Sequence, residues 1–381
     1  MKGICARVLG LAVVGLVVVG MVVAAGAARS ERTFAGKNMI LDEDPWWTNR
    51  EFADKALDRI QNAGFNAYSP MVWHGRGATW PTKLAPRDPW LRALPTTGYD
   101  PLEELIRKAH TRGIEVHPWF NVVLRQSDLR PELALPGEAH PDEGAFDVHD
   151  PRFREWMSDL VAEVAANYDV DGVMLDYMRA VMLCLTETCK QEYRKKYKRS
   201  LAADALLMQT KFVSVPTLIQ YQERAVTALL QRIAHKVRKK KPNILLSVDA
   251  IPGYAGPEQG QNSVEWANQG LIDVIFRMDY YLKIDVGLTD SIRKQLRRPD
   301  ALSVLISNIS HEEREPDQPH FPRPGKWVAD TVSLVRQKWP NTGTAIYFYK
   351  SLSDEQIAAL KAGPFRTAEG VLEPSALVQV R

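Results

Sequence analysis

The stretch Asp169-Val170-Asp171-Gly172-Val173-Met174-Leu175-Asp176-Tyr177-Met178-Arg179 decides how the chain is read. Val-Met-Leu is apolar, too short for a helix, and preceded by Gly172. It predicts a buried strand. Asp176 closes that strand, so a carboxylate stands at its C-terminal end, with Tyr177 and Arg179 just beyond. In parallel sheets this end is where ligands bind and chemistry takes place. An Asp here can also simply cap the next helix or pair with Arg179. The choice depends on what the other strand ends deliver.

Working outward, short apolar runs alternate with amphipathic helical stretches. Asn38–Leu41 predicts a first strand ending in Asp42. A helix over 49–62 follows, capped by Thr48 and stopped by Gly64. The second strand, 65–72, delivers Trp73 and His74. Pro101 suits the start of a helix ending at Arg112-Gly113. The third strand, 114–121, carries His117, Trp119 and Asn121. A loop with His140 and His149 leads to a helix opening at Asp150-Pro151. After the Asp176 strand comes an insertion, 178 to about 214, expected to be helical and exposed. The fifth strand ends in Asp249, and the sixth in Asp279, Tyr280 and Tyr281. The seventh precedes Asn308, and the eighth carries Tyr347. Each strand is followed by a helix.

Eight such pairs predict an α/β fold, a (β/α)8 TIM barrel in one domain with an insertion after strand 4. A doubly wound open sheet is the rival, but no Gly-rich phosphate loop follows the first strand. The barrel is expected over 36–363, with 364–381 as a C-terminal tail.

Residues 1–28 read differently. Lys2 and Arg7 precede an uncharged apolar run over 8–28, and Ala25-Gly26-Ala27 suits a signal peptidase. This predicts a secretory signal peptide and a secreted or periplasmic protein. The run is also nearly long enough to span a bilayer, so a membrane tether through residues 8–28 is the alternative. Export into an oxidising compartment makes a Cys184–Cys189 disulfide one reading, and two free thiols the other.

The net charge of +3, from 49 basic and 46 acidic residues, argues against nucleic acid as the main partner. The basic runs at 194–199 and 239–241 are local. No His-x-His stands at a strand end, so no metal site and no cofactor are expected. No Gly-x-Ser-x-Gly elbow marks a serine nucleophile. Carboxylates, amides and aromatic rings dominate the strand ends instead. Such rings stack on sugar faces, and carboxylate pairs hydrolyse glycosidic bonds.

Several segments resemble the glycosyl-hydrolase-like family ten. They are Ala63-Gly64-Phe65-Asn66-Ala67, Gly98-Tyr99-Asp100-Pro101-Leu102, 110–121, 167–177, 266–273 and 347–352. The likeness runs from about Lys37 to Phe365. It implies a (β/α)8 barrel, export in bacteria and action on glycosidic bonds. Two departures stand out. Tyr177 replaces the second Asp often found after the fourth strand, and the sixth strand ends Arg277-Met278-Asp279-Tyr280. By analogy with related retaining barrels, Asp176 is the candidate nucleophile or charge stabiliser and Asp279 the general acid, with Asp249 the other contender. Trp73, His74, His117, Trp119, Asn121, Tyr177, Arg179 and Tyr281 are the expected substrate-binding residues for an oligo- or polysaccharide. The alternative is a barrel that binds carbohydrate without cleaving it, suggested by the lack of a second acid beside Asp176 and of any Glu at a strand end.

Overall fold

The eight expected strands form a closed parallel barrel. They are β1 (Asn38–Asp42), β2 (Ala67–Trp73), β3 (in two pieces, Glu115–Val116 and Trp119–Asn121), β4 (Gly172–Asp176), β5 (Leu245–Ala250), β6 (Val274–Asp279), β7 (Leu302–Ser307) and β8 (Thr344–Tyr347). Each pairs in parallel with the next, and β8 closes the circuit on β1 through Asn38↔Thr344 to Leu41↔Tyr347. The computed structural model describes residues 33–95, 98–126, 128–136, 143–211, 213–251, 259–310 and 322–366. The expected signal segment, His140 and most of the expected tail lie outside them.

Helices follow the strands in turn. They are α1 (Arg50–Asn62), α2 (Pro101–His110), α3 (Pro151–Asn167), α4 (Glu187–Tyr197), α5 (Leu201–Lys211), α6 (Pro216–Lys240), α7 (Ser263–Asn268), α8 (Val286–Arg293), α9 (Gly325–Lys338) and α10 (Asp354–Ala362). Local chemistry sets their starts. Asp100 and Asp150 accept from backbone amides of the first turn, each ahead of a Pro whose missing N–H costs nothing there. At α1 the cap is Asn49, not Thr48: its side chain accepts from the Glu51 and Phe52 amides. Thr48 instead donates to the Pro45 carbonyl.

Two apolar cores result. One lies between strands and helices. The other fills the barrel, where Met39, Leu41, Met71, Trp119, Met174 and Phe276 meet. Phe34 belongs to this inner core, edge-on to Phe276 with ring centres 4.8 Å apart. Pro118 has no N–H to give the ladder, so β3 is interrupted at His117-Pro118.

The insertion differs from expectation in one respect. It is helical, α4 and α5, yet not simply exposed. Cys184, Cys189, Tyr193, Leu201 and Leu218 form a small core of their own, closed by a Cys184–Cys189 disulfide. Tyr193 donates to Asp204, which also holds Arg199 at 2.6 Å. The first residues of the expected tail are also held. Phe365 is buried edge-on against Phe65, with ring centres 5.2 Å apart.

Candidate active site

Alternation along the strands decides which side chains reach the barrel mouth. In β4, Met174 packs in the inner core, so Asp176 faces inward two residues later. In β5, Leu245 faces inward and Asp249 lies four residues on, in the same phase. Leu175 pairs with Val248, which sets Asp176 beside Asp249 on adjacent strands. Such strands stand about 4.8 Å apart. On the other side, Asn121 of β3 is directly opposite Asp176. In β6, Met278 and Tyr280 pack on the inner core, as does Tyr347 of β8. In β1, Met39 and Leu41 face inward, and Glu43 continues the series just past the strand.

These groups act on one another. Burial pushes the Asp176 carboxyl up. Three groups pull it down: Arg179, whose guanidinium lies 4.0 Å away, the Tyr177 amide, which donates at 2.6 Å, and the Trp119 indole N–H, which faces it at a geometry short of a full hydrogen bond. Asp249 is driven well above the ordinary carboxylate range, first by burial and then by the charge of Asp176. Its Oδ1 is buried with no hydrogen-bond partner among the described residues. The pair therefore titrates as a unit, with its proton favoured on Asp249.

Tyr177 adopts a left-handed backbone (φ 49°), uncommon for a bulky residue, and its ring lies 4.3 Å from the Arg179 guanidinium. Tyr280 and Tyr347 stack at 5.6 Å, and Tyr347 meets Trp119 edge-on at 6.4 Å. The Tyr347 hydroxyl faces Glu43 and favours its ionised form. Burial raises the Glu43 carboxyl, and Asp176 adds to that.

Of the residues expected from sequence, the mouth brings together Asp176, Asp249, Trp119, Asn121, Tyr177 and Arg179. The others fall elsewhere. Asp279 has the opposite phase from Met278 and Tyr280. It binds the buried Arg277 at 2.5 Å and accepts from the Asp285 amide at 2.9 Å, which makes it a tie between strand and α8 rather than a second acid. Trp73 sits after an irregularity in β2, where Met71 pairs with Trp119 but Trp73 with Phe120. That extra residue turns it into the outer core against Trp156, ring centres 5.6 Å apart. His117 is fully buried where β3 breaks, below the mouth and 3.2 Å from Glu115. His74 packs edge-on to Trp90 at 4.0 Å, and burial together with Arg76 lowers its pKa to about 3. Tyr281 is 52% exposed beyond β6.

Glu43 was not anticipated, although the alternation Met39, Leu41, Glu43 was the signal for it. It also corrects the expectation that no Glu stands at a strand end. Asp147, Cys184 and Cys189 form the only cluster of metal-ligand side chains found among the described residues, and there the sulfurs are bonded to each other.

The closed (β/α)8 barrel is an architecture this chain shares with solved glycosidases. Solved structures with the same architecture include an α-L-fucosidase (isoenzyme 2) from Paenibacillus thiaminolyticus. It has a TM-score of 0.58 and 16% identity, covering 86% of this chain and 48% of that one. A β-galactosidase from the psychrophilic Marinomonas ef1 has a TM-score of 0.59 and 10% identity, covering 86% and 58%. At these identities the likeness is one of fold. The chain belongs to the family described as glycosyl hydrolase-like 10, whose sequence model matches residues 41–295. Glycosyl hydrolase DigH of Escherichia coli K12 is 24% identical over 262 residues, 59% of this chain and 56% of its own length. Glycosyl hydrolase YngK of Bacillus subtilis 168 is 30% identical over 136 residues, 32% of this chain and 26% of its own. The chain thus spans little more than half the length of the first of these relatives.

Proposed function

We propose that the protein is an exported glycoside hydrolase, cleaving a cell-wall or extracellular polysaccharide through Asp176 and Asp249. The observation that carries this reading is their placement: side by side on β4 and β5, both buried, with the proton favoured on Asp249. Asp249, whose proton burial and the charge of Asp176 hold more tightly than usual, is the general acid that gives that proton to the leaving oxygen. Asp176, with the Arg179 guanidinium 4.0 Å away and the Tyr177 amide donating to it, is the nucleophile or the stabiliser of positive charge at the anomeric carbon. Trp119, Tyr280 and Tyr347 offer rings on which a sugar stacks, and Asn121 offers an amide for its hydroxyls. The adjacency of the two strands favours the short carboxyl separation of retaining enzymes, about 5 Å, over the 6.5–9.5 Å of inverting ones.

Release of new reducing ends from bacterial cell-wall glycan and exopolysaccharide tests the proposal. Asp176→Asn is expected to abolish turnover while keeping the fold and sugar binding. Full activity in that variant would remove Asp176 from the mechanism. Binding without cleavage arose as an alternative because a second acid beside Asp176 was lacking. Asp249 supplies that acid, so the alternative loses its motive. Export rests on the apolar run before Arg29. N-terminal sequencing of protein recovered outside the cytoplasm is expected to begin after Ala28, and an intact Met1 there would favour the uncleaved anchor.

A further inference from the structure

We propose that the sugar bound beside Glu43 carries a free, positively charged amine, and that Glu43 is the residue that selects it. This rests on the reading of the mouth as a glycan site, and the test below separates the two.

The inference starts from an imbalance. Glu43 follows the inward-facing Met39 and Leu41, close enough to Asp176 to feel its charge, and its carboxylate has no ion pair among the described residues. Two further polar atoms there, Asp249 Oδ1 and Asn121 Oδ1, are buried and without hydrogen-bond partners among the described residues; the two residues are 1% and 8% exposed. Among the described residues, Arg179 is the cation set against the Asp pair. Lys350, the cation nearest Glu43 in effect, is 66% exposed and already 3.5 Å from Asp44. With the proton of the pair on Asp249 and Arg179 beside Asp176, Glu43 is left as the carboxylate that has no ion pair among the described residues. Hydroxyls of a neutral sugar donate hydrogen bonds but bring no charge, and a carboxylate removed from water without a cation is costly. An ammonium brings a charge and three N–H donors, and charge-assisted bonds are the stronger kind.

A metal ion fits less well. A divalent cation needs its oxygen ligands at about 2.0–2.6 Å from one centre. Glu43, Asp176 and Asp249 do not form a group whose ligand atoms all lie within 4.8 Å of one another. Glu43 also lies across the mouth from the pair, on β1 rather than beside β4. It is therefore placed to hold a substituent of the ring while the pair acts on the bond.

The experiment uses three synthetic oligosaccharides that differ only at C2 of each ring: free amine, acetamide or hydroxyl. Binding to full-length protein carrying Asp176→Asn is measured by titration calorimetry. The amine form is expected to bind about tenfold tighter than the other two, as one charge-assisted bond allows. Adding Glu43→Gln should reduce that preference to near unity. Glu43→Asp, which keeps the charge but withdraws it by one methylene, should give an intermediate value and serves if the Gln variant misfolds. Equal binding of all three sugars, or a preference that survives both substitutions, overturns the role of Glu43 and leaves the glycan site standing. Failure of all three to bind overturns the glycan reading itself, and this proposal with it.

Discussion

At the scale of single residues, the proposed chemistry turns on Asp249, and its proton makes two predictions. The first concerns rate. A general acid of this kind contributes about 10²–10⁴-fold, so Asp249→Asn should lower kcat/KM by that much. In the unaltered enzyme, activity should fall on the alkaline side as Asp249 loses its proton, and that limb should vanish in the variant. A pH–rate profile of both proteins checks this; an alkaline limb that survives in the variant assigns it to another group. The second concerns stability. The folded state holds the Asp249 proton more tightly than the unfolded chain does. The stabilising contribution of that proton is complete below the ordinary carboxylate pKa and is lost as pH rises towards the raised value. Asp42 has the same sign: burial raises it well above the ordinary value although Tyr68 donates to it at 2.8 Å. Thermal unfolding should therefore show stability falling as pH rises above the ordinary carboxylate range, and falling less steeply in Asp249→Asn. A variant as pH-sensitive as the parent would show that Asp249 titrates normally.

At the scale of elements, the opening glycine of β4 shows how tightly the barrel is built. A Cβ on Gly172 would lie 2.2 Å from His117 Nδ1 and 3.0 Å from the Leu245 carbonyl oxygen. The imidazole is itself fully buried, so it cannot swing clear. Gly172→Ala should cost about 1–3 kcal/mol, the usual penalty for overpacking, read as a drop in the denaturation midpoint. The insertion after β4 has its own tie. The disulfide closes a loop with a sequence separation of 5, for which chain entropy predicts about 2 kcal/mol. Replacing Cys184 and Cys189 by Ser should loosen α4 and α5 in hydrogen exchange and leave the barrel strands protected. Uniform loss of protection would mean that the insertion and barrel unfold together.

At the scale of the whole molecule, closure puts every strand end on one rim. Elements more than 200 residues apart in sequence, such as β1 with Glu43 and β5 with Asp249, meet there for that reason. Residues that flank β7, β8 and α10 join in a buried network: Asn308 donates to the Phe348 carbonyl, Gln356 to the Asn308 and Arg323 carbonyls, and Arg323 to the Tyr280 carbonyl. This network holds the two stacked tyrosines beside the carboxylates. The stereochemical outcome belongs to this scale because it depends on how two strands are spaced. Proton NMR of the first product formed is expected to show retained anomeric configuration; inversion would mean that Asp176 acts from farther away, through a water.

The barrel was legible in the sequence because period-2 apolar runs, caps such as Asp100-Pro101 and Asp150-Pro151, and helix-ending glycines are local signals. Asp176 was legible for the same reason: it closes an unmistakable strand. What local pattern could not settle was which way a residue at a strand end points. Asp279 and Asp249 look alike in sequence, yet one has the phase of the outer core and the other that of the mouth. Trp73 reads as a rim residue until an extra residue in β2 turns it outward, and His117 until β3 is found to resume after Pro118. Phase is reset by bulges and breaks, and it is read only against the register of the neighbouring strand. The sequence by itself thus determined a (β/α)8 barrel with an acid at the end of its fourth strand. The choice of Asp249 as that acid's neighbour, and the arrival of Glu43, were decided by tertiary structure, because pairing between strands sets which carboxylates share one buried space.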